Sequence, residues 1–336
     1  ANLTNIRIAT NNQSISREQL RLRVSDVVTQ VQNAYFDLIF ALENLEVQRR
    51  SLRLAQELVA LNRARVRAGV AAPVEVTQAE AQEAARLQDV ILAEKAVRDA
   101  EDTLKVVLNL PERGGWDQEL RPTDAATFAV QRVDLDEAIR LALQNRNEYR
   151  SAKLDVDNRE LAVRLARNQL LPDLSLQGSV SLGGAGTTYG RNLGELSSGE
   201  FTSYSVGLVL TVPIGNRFAQ AGYVRSRLLS DQAKTSLRQL ELLIVQQVRE
   251  AVRRVEADAR RVEANRAARV LAEEQLRVEQ RRLEAGVTTT FNVLSFQRDL
   301  AAAQANEIQA ITDYNKSLAV LDSVRGIVLE RHRIEL

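Results

Sequence analysis

His332 is the one side chain in this 336-residue sequence whose ordinary pKa would suit general acid–base work near neutrality. It lies in a basic C-terminal tail between Arg331 and Arg333, where it reads as solvated rather than as a base or a ligand. There is no cysteine, which removes thiol nucleophiles and disulfides and, with a single histidine, leaves no conventional zinc site. Gly183-Gly184-Ala185-Gly186 is rich enough in glycine to approach a phosphate. Neither a Lys-Ser/Thr pair nor a helix is expected to follow it, as a phosphate loop requires. The carboxylates fall at helical spacings among arginines, the pattern of solvated ion pairs. Basic and acidic residues number 45 and 44 and are interspersed, so the basic surplus that grips nucleic acid is missing. These residues predict no catalysis, no metal site and no cofactor.

The informative chemistry is conformational. Arg63–Val76, RARVRAGVAAPVEV, returns 217 positions later as Gln280–Val293, QRRLEAGVTTTFNV, with Ala68-Gly69-Val70 falling on Ala285-Gly286-Val287 and Arg65 on Arg282. The register holds without a gap on both sides, from Val28, Val31 and Ala34 (Val245, Val248, Ala251) to Ala93, Leu104 and Val107 (Ala310, Leu321, Val324). A register kept over so many positions predicts a duplicated unit, each copy a long helix, a turn at the glycine and a second long helix. Gly69 and Gly286 stand where a helix end needs a left-handed residue. Pro73 suits the first turn of the returning helix, and Thr288–Thr290 offer capping oxygens at the matching place.

Composition agrees: 45% hydrophobic, 26% charged, and only 4% aromatic, the profile of long helices rather than a compact globule. Residues 1–13 are expected to be a polar lead-in. From about Ser16 to Ala68 an apolar seam recurs every seven residues at Val24, Val31, Leu38, Leu45, Leu52, Val59 and Val66, with Val28, Tyr35 and Leu42 as its partner series. At ~1.5 Å per residue such a helix reaches roughly 80 Å. The partner series then turns polar at Arg49, Gln56 and Arg63, and again at Arg266, Glu273 and Gln280. Either a stutter hands the seam to Leu54/Ala55 and Leu271/Ala272, or this half of the rod faces water, even a lumen. Descending helices are expected over Val74–Leu108 and Phe291–Val328. Between the copies, Pro111–Arg132 should form a loop-rich linker with Trp116 as its core anchor. A further helix is expected over Asp134–Leu171, with Asp134 and Glu137 in capping-box spacing, stopped by Pro172.

Leu174–Leu182 and Ser203–Val212 alternate apolar and small polar residues with period two, at the length of a tilted membrane strand. Gly183–Thr202 between them should be an exposed loop, and Tyr189, Phe201 and Tyr204 could form an aromatic girdle. A soluble hairpin on a core would alternate similarly, but here the polar face is Ser, Gln and Thr rather than charged. Two strands leave open edges that lipid does not tolerate, and closed barrels begin at eight strands. The offset places a first-copy hairpin just before Ala1, giving four strands per protomer and twelve in a trimer. It also predicts an upstream segment of at least about eighty residues, following a signal peptide.

The glycine turns, the strand exit LTVPIGNRFAQAG into a long helix, and the tandem duplication resemble the outer-membrane efflux proteins of the TolC family over essentially the whole chain. The fold implied is mainly α with a small β part: helical hairpins forming a trimeric periplasmic α-barrel, and a strand pair contributing to a twelve-stranded outer-membrane β-barrel. The implied boundaries are a first hairpin at 1–110, a linker at 111–133, an entry helix at 134–172, the strand pair at 173–213, a second hairpin at 214–328 and a tail at 329–336. The implied function is a passive exit duct from periplasm to exterior, a homotrimer in the lipid outer membrane. An adaptor protein docks at tips formed by Arg65, Gly69, Val70, Arg282, Gly286 and Val287 and links them to an inner-membrane transporter. A periplasmic gate would involve Glu75, Asn292, Ser295 and Phe296. Two departures weaken an acidic gate: Asn292 and Ser295 occupy places that are acidic in some members, and Phe296 could supply a bulky apolar ring instead. The alternative from another class is a soluble coiled-coil scaffold, which has no use for serine-lined strands of membrane length.

Overall fold

A computed structural model of the chain describes residues 2–111, 114, 116–184, 187–199 and 201–336, with the side chain of Asn2 left aside. Its elements are α1 (Asn2–Arg67), α2 (Pro73–Val107), α3 (Leu135–Asn145), α4 (Asn147–Asn168), β1 (Asp173–Gly183), α5 (Tyr189–Ser198), β2 (Phe201–Thr211), α6 (Arg217–Glu284), α7 (Thr290–Arg325) and the short α8 (Val328–Arg331). They group into two compact units, residues 18–149 with 240–336, and residues 1–17 with 150–239.

The first of these units is built on two hairpins. Ala34, Leu38, Ala41 and Leu45 of α1 pack against Val90, Ala93, Val97 and Leu104 of α2. Leu38 and Leu45 are on the predicted seven-residue seam, but their buried companions are Ala34 and Ala41, whereas Tyr35 and Leu42 of the expected partner series are only partly buried against the cluster. Nearer the turns, Leu58 of α1 joins Leu276 and Leu283 of α6 and Val293, Leu294 and Leu300 of α7 in a second cluster shared by both hairpins. Residues 217 positions apart take the same environment: Ala34 and Ala251, Leu38 and Val255, Leu45 and Val262, Ala93 and Ala310, and Leu104 and Leu321 are all buried. The polar stretch of the seam is only partly a stutter. Ala55 is buried and Leu54 half-buried, but Leu271 is exposed. Arg49 and Arg63 instead reach across the hairpin to Glu94 (3.0 Å) and Glu80 (2.7 Å), and Arg266 reaches Glu307 (3.3 Å). Exposed pairs such as Arg49–Glu94 and Arg63–Glu80 contribute about 0–1 kcal/mol each, so the apolar clusters carry the packing.

The linker follows a different anchor from the one expected. Trp116 is 39% exposed, and its carbonyl oxygen accepts from buried Lys105 Nζ at 2.7 Å. Tyr314, buried on α7, holds the segment instead. Its hydroxyl donates to the Ala129 carbonyl (2.8 Å) and accepts from the Gln131 amide (3.0 Å), and its ring meets Phe128 edge-on with centroids 5.1 Å apart. Glu112, Arg113 and Gly115 of the predicted linker lie outside the described residues. The helix expected over Asp134–Leu171 is two helices. Asp134 caps the first as its spacing predicted, with Oδ1 accepting from the amides of Asp136 and Glu137. Arg146 then turns extended (φ −63°, ψ 125°) before α4. Gly326 explains the position of the break: a Cβ there would lie 2.9 Å from Asn145 C and 3.0 Å from Arg146 N, so α7 ends hard against the interruption. Beyond it, Arg146 bonds Glu148 (2.6 Å) and Gln247 (2.5 Å), and the Tyr149 hydroxyl donates to Glu241.

In the second unit, the segment at 3–13 expected as a polar lead-in is already helical. Asn11 and Asn12 exchange 2.9 Å side-chain hydrogen bonds with Asn158 of α4. β1 and β2 pair antiparallel from Asp173↔Thr211 to Gly183↔Phe201 and are hydrogen-bonded to no other described strand. One face carries Leu174, Leu176 and Val180 opposite Leu210, Leu208 and Tyr204, with Leu182 opposite Thr202 and Val206 opposite Gly178; its large apolar residues are all well exposed. The other carries Ser175, Gln177, Ser179 and Ser181 beside Val209, Gly207, Ser205 and Ser203, with Ser179 and Ser205 bonded at 2.9 Å. Phe201 lies on this polar face opposite Gly183, so it does not share a face with Tyr204 as a girdle would require. The expected loop at 183–202 contains a helix, α5, capped at Gly199 in the left-handed conformation. A helix therefore does follow the glycine-rich run, although no Lys-Ser/Thr pair accompanies it; Ala185 and Gly186 of that run lie outside the described residues.

Candidate functional site: the two hairpin tips

The turn from α1 to α2 and the turn from α6 to α7 are built alike. Gly69 and Gly286 both have φ +73°. The Gly69 amide donates to the Val66 carbonyl and the Val70 amide to the Arg65 carbonyl, each at 3.0 Å. Gly286 to Leu283 and Val287 to Arg282 repeat both bonds at 3.0 Å. This pairing of a 5→2 with a 6→1 hydrogen bond closes the orphan carbonyls of a helix end and needs φ > 0 at its fifth residue, which only glycine adopts without cost. Arg65 and Arg282 are thus placed by their backbones, as the residues whose carbonyls accept the longer bond. Val70 and Val287 are 66% and 64% exposed at the apices, and Val74 and Phe291, also equivalent, add further exposed apolar surface.

Beneath the apices lies a polar layer that the periodicity did not reveal. Asn62 and Thr290 are wholly buried. Thr290 Oγ1 donates to Glu75 Oε2 at 2.6 Å and lies 3.2 Å from Asn62 Oδ1, while Asn62 Nδ2 donates to the Glu75 carbonyl at 3.3 Å. One threonine from the second hairpin thereby locks into an acid–amide pair of the first. At the second tip, buried Glu279 accepts from Thr288 Oγ1 and from Arg282 Nη1 (3.0 Å), and Asn292 Nδ2 donates to Thr288 Oγ1 at 3.0 Å. Asn62 and Glu279 occupy equivalent positions, as do Glu75 and Asn292, so acid and amide have exchanged places between the copies. That exchange is the sequence signal that could have pointed to this layer. The expected Thr288–Thr290 cap takes another form: Thr289 is the N-cap and makes no side-chain capping bond, and its neighbours bond outward to Glu279 and Glu75.

The candidate tip and gate residues divide accordingly. Gly69, Val70, Gly286 and Val287 are at exposed apices. Arg282 is tied back to Glu279, and Arg65 Nη1 is buried with no hydrogen-bond partner among the described residues. Glu75 is half-buried and engaged with Thr290, apart from Asn292 and its Thr288–Glu279 group. Ser295 is half-buried and accepts from Arg298 at 3.2 Å, and Phe296 packs against the shared apolar cluster. Among the described residues no group of three or more His, Cys, Asp and Glu has the geometry to hold a metal ion. His332, expected to be solvated, is exposed with its Nε2 2.9 Å from Gln32 Nε2.

Known proteins resemble this chain in sequence and in fold. Nodulation protein T of Rhizobium leguminosarum bv. trifolii is 23% identical over 309 residues, covering 90% of this chain and 62% of that protein. The outer membrane efflux protein BepC of Brucella suis biovar 1 is 29% identical over 301 residues, 88% of this chain and again 62% of the relative. The chain therefore spans less than two thirds of the length of either. Among solved structures, a membrane protein from Pseudomonas aeruginosa matches with a TM-score of 0.82 at 21% identity over 96% of this chain and 72% of that one. The outer membrane protein VceC of Vibrio cholerae matches with 0.81 at 17% identity over 97% and 75%. At these identities the structures speak for the fold: long helical hairpins with a strand pair. The family model for the outer membrane efflux protein matches residues 1–110 and 138–326, taking in both tips and both strands, and the chain belongs to that family.

Proposed function

We propose that the protein is an outer-membrane exit duct: a homotrimer whose strands close a barrel in the lipid and whose helical hairpins form a periplasmic tunnel. The observation that carries this reading is the β1–β2 pair. Its apolar residues are exposed, its other face is mostly serine, glutamine and glycine with Val209 and Phe201 among them, and both edges lack a described partner. Eleven residues at ~3.3 Å each, tilted by about 45°, rise roughly 25 Å, the height of a barrel's apolar band. Such strands satisfy their backbone in lipid only by closing with other strands, and closure by two strands is geometrically impossible. No helix among the described residues is long and apolar enough to cross a membrane, so the strands would do the crossing. A soluble scaffold leaves this apolar row without a purpose.

The duct is passive and does no chemistry on what passes. Its tips would dock a periplasmic adaptor that connects an inner-membrane transporter, with Val70, Val74, Val287 and Phe291 as the apolar contact and Gly69 and Gly286 shaping it. BepC is named as an efflux protein, and relatives in Pseudomonas aeruginosa and Pseudomonas putida as pyoverdine export proteins, which supports export as the direction of transport. Asn292 and Ser295 with Phe296 are the gate candidates on the second tip, and Glu75 on the first. The deciding experiment is mass measurement of the detergent-solubilised full-length protein, followed by conductance in planar bilayers. A mass near three protomers with discrete channel currents is expected. A water-soluble monomer or dimer would overturn the reading.

A further inference from the structure

Helix α5 has an apolar face that stays exposed among the described residues of its unit. Tyr189, Leu193 and Leu196 recur at i, i+4 and i+7, and at ~100° per residue they fall within an arc of about 60°. They are 84%, 52% and 41% exposed. Arg191 and Glu195, the two charged residues of the helix, fall roughly 200° and 240° round from Tyr189, on the opposite side. A ten-residue helix is marginal in water by itself, so its formation here calls for a partner on that face. Its seat is specific: a Cβ on Gly184 would come within 2.5 Å of the Asn192 carbonyl oxygen, so α5 lies directly against the end of β1.

The neighbourhood selects the partner. The apolar row of the strand pair runs through Val206 and Val180 to Leu182 and Tyr204 and ends at the same end of the hairpin from which α5 departs. A helix beginning with tyrosine, apolar on one side and charged on the other, has the make-up of one lying flat at a lipid–water boundary. We propose that α5 lies in the headgroup boundary of the outer leaflet with Tyr189, Leu193 and Leu196 turned into lipid. There it forms an in-plane collar at the exterior rim of each protomer's strand pair. This rests on the membrane reading of β1 and β2 given above. The collar extends the strands' lipid-facing surface sideways and fixes the depth at which the barrel sits.

These 336 residues contain no cysteine, so they add no background to single-site labelling; a cysteine elsewhere in the full-length protein is first replaced by serine. The full-length protein carrying Arg191→Cys, Leu193→Cys, Leu196→Cys or, as reference on the strand face, Val206→Cys is labelled with bimane. It is reconstituted into phosphatidylcholine–phosphatidylglycerol vesicles. Nitroxide-bearing lipid should quench positions 193, 196 and 206 several-fold more than position 191, and aqueous iodide should show the reverse order. If 206 is quenched by lipid while 193 and 196 respond to iodide, or are shielded from both agents by a second copy, the collar is wrong and the barrel stands. If 206 responds to iodide, the membrane reading of the strands fails and the collar falls with it.

Discussion

Thr290→Val tests whether the buried polar layer joins the two hairpins. The substitution keeps the shape and removes one hydroxyl. In the native tip that hydroxyl sits on a wholly buried residue, 2.6 Å from Glu75 Oε2 and 3.2 Å from Asn62 Oδ1. A hydrogen bond to a charged acceptor contributes about 1.5–3 kcal/mol, and a buried acceptor left bare costs about 1–3 kcal/mol. Glu75 is only half-buried and can recruit water, whereas Asn62 cannot, so the two contributions do not add in full and a value within both ranges applies: about 2 kcal/mol. The loss is confined to the tip, because the apolar clusters of the hairpins are untouched. It should therefore appear as local opening rather than a lower global stability. About 2 kcal/mol corresponds to roughly 30-fold faster amide exchange for peptides spanning 60–78 and 288–298, measured by deuterium uptake and mass spectrometry. Peptides near 34–45 and 93–104 should exchange as before. Thr290→Ser, which retains the donor, should restore most of the protection. Unchanged exchange at both tips in Thr290→Val would refute the idea that this threonine joins the hairpins.

Other perturbations separate the remaining claims. Gly326→Ala should lower the melting temperature well beyond Gly286→Ala. Both have φ above +70°, but only at Gly326 does a Cβ meet backbone, at 2.9 Å, whereas nothing lies within 4 Å of one at Gly286. Gly286→Ala should cost about 1–2 kcal/mol from the left-handed backbone alone. Tyr149, whose hydroxyl donates to Glu241 with burial adding to the effect, has its pKa pushed up to about 12 from 10. The folded state therefore holds this proton more tightly than the unfolded one. That contribution is complete below pH 10 and is lost between pH 10 and about 12, so ultraviolet titration should find one tyrosine ionising late, and Tyr149→Phe should remove it. If Asn292 and Ser295 border the constriction, Asn292→Asp with Ser295→Asp should turn weak block by a trivalent cation on the periplasmic side into strong block in planar bilayers. Strong block of the native channel, or none in the double variant, would move the constriction elsewhere, with Glu75 next to examine.

What the sequence determined by itself is what neighbouring residues settle among themselves. The glycines at 69 and 286 dictate their turns because only glycine takes φ > 0 without cost, and the same two hydrogen bonds form at each. Asp134 caps its helix through amides two and three residues on. Alternation with period two sets the faces of β1 and β2, and the seven-residue seam picks out Leu38 and Leu45. Tertiary structure decided wherever the partner is distant in the chain. Arg146 interrupts a strongly helical stretch without proline or glycine, because the end of α7 at Gly326 presses against it. Trp116, the largest side chain in the linker, stays half out while Tyr314, from the far end of the chain, supplies the anchor. Asn62, Glu75 and Thr290 are ordinary surface types by composition. Asn62 and Thr290 become buried, with half-buried Glu75 bonded to them, only because two hairpins with 217-residue register bring their tips together. Local rules read φ preferences and periodicity; which polar group loses its water is settled by the element that covers it.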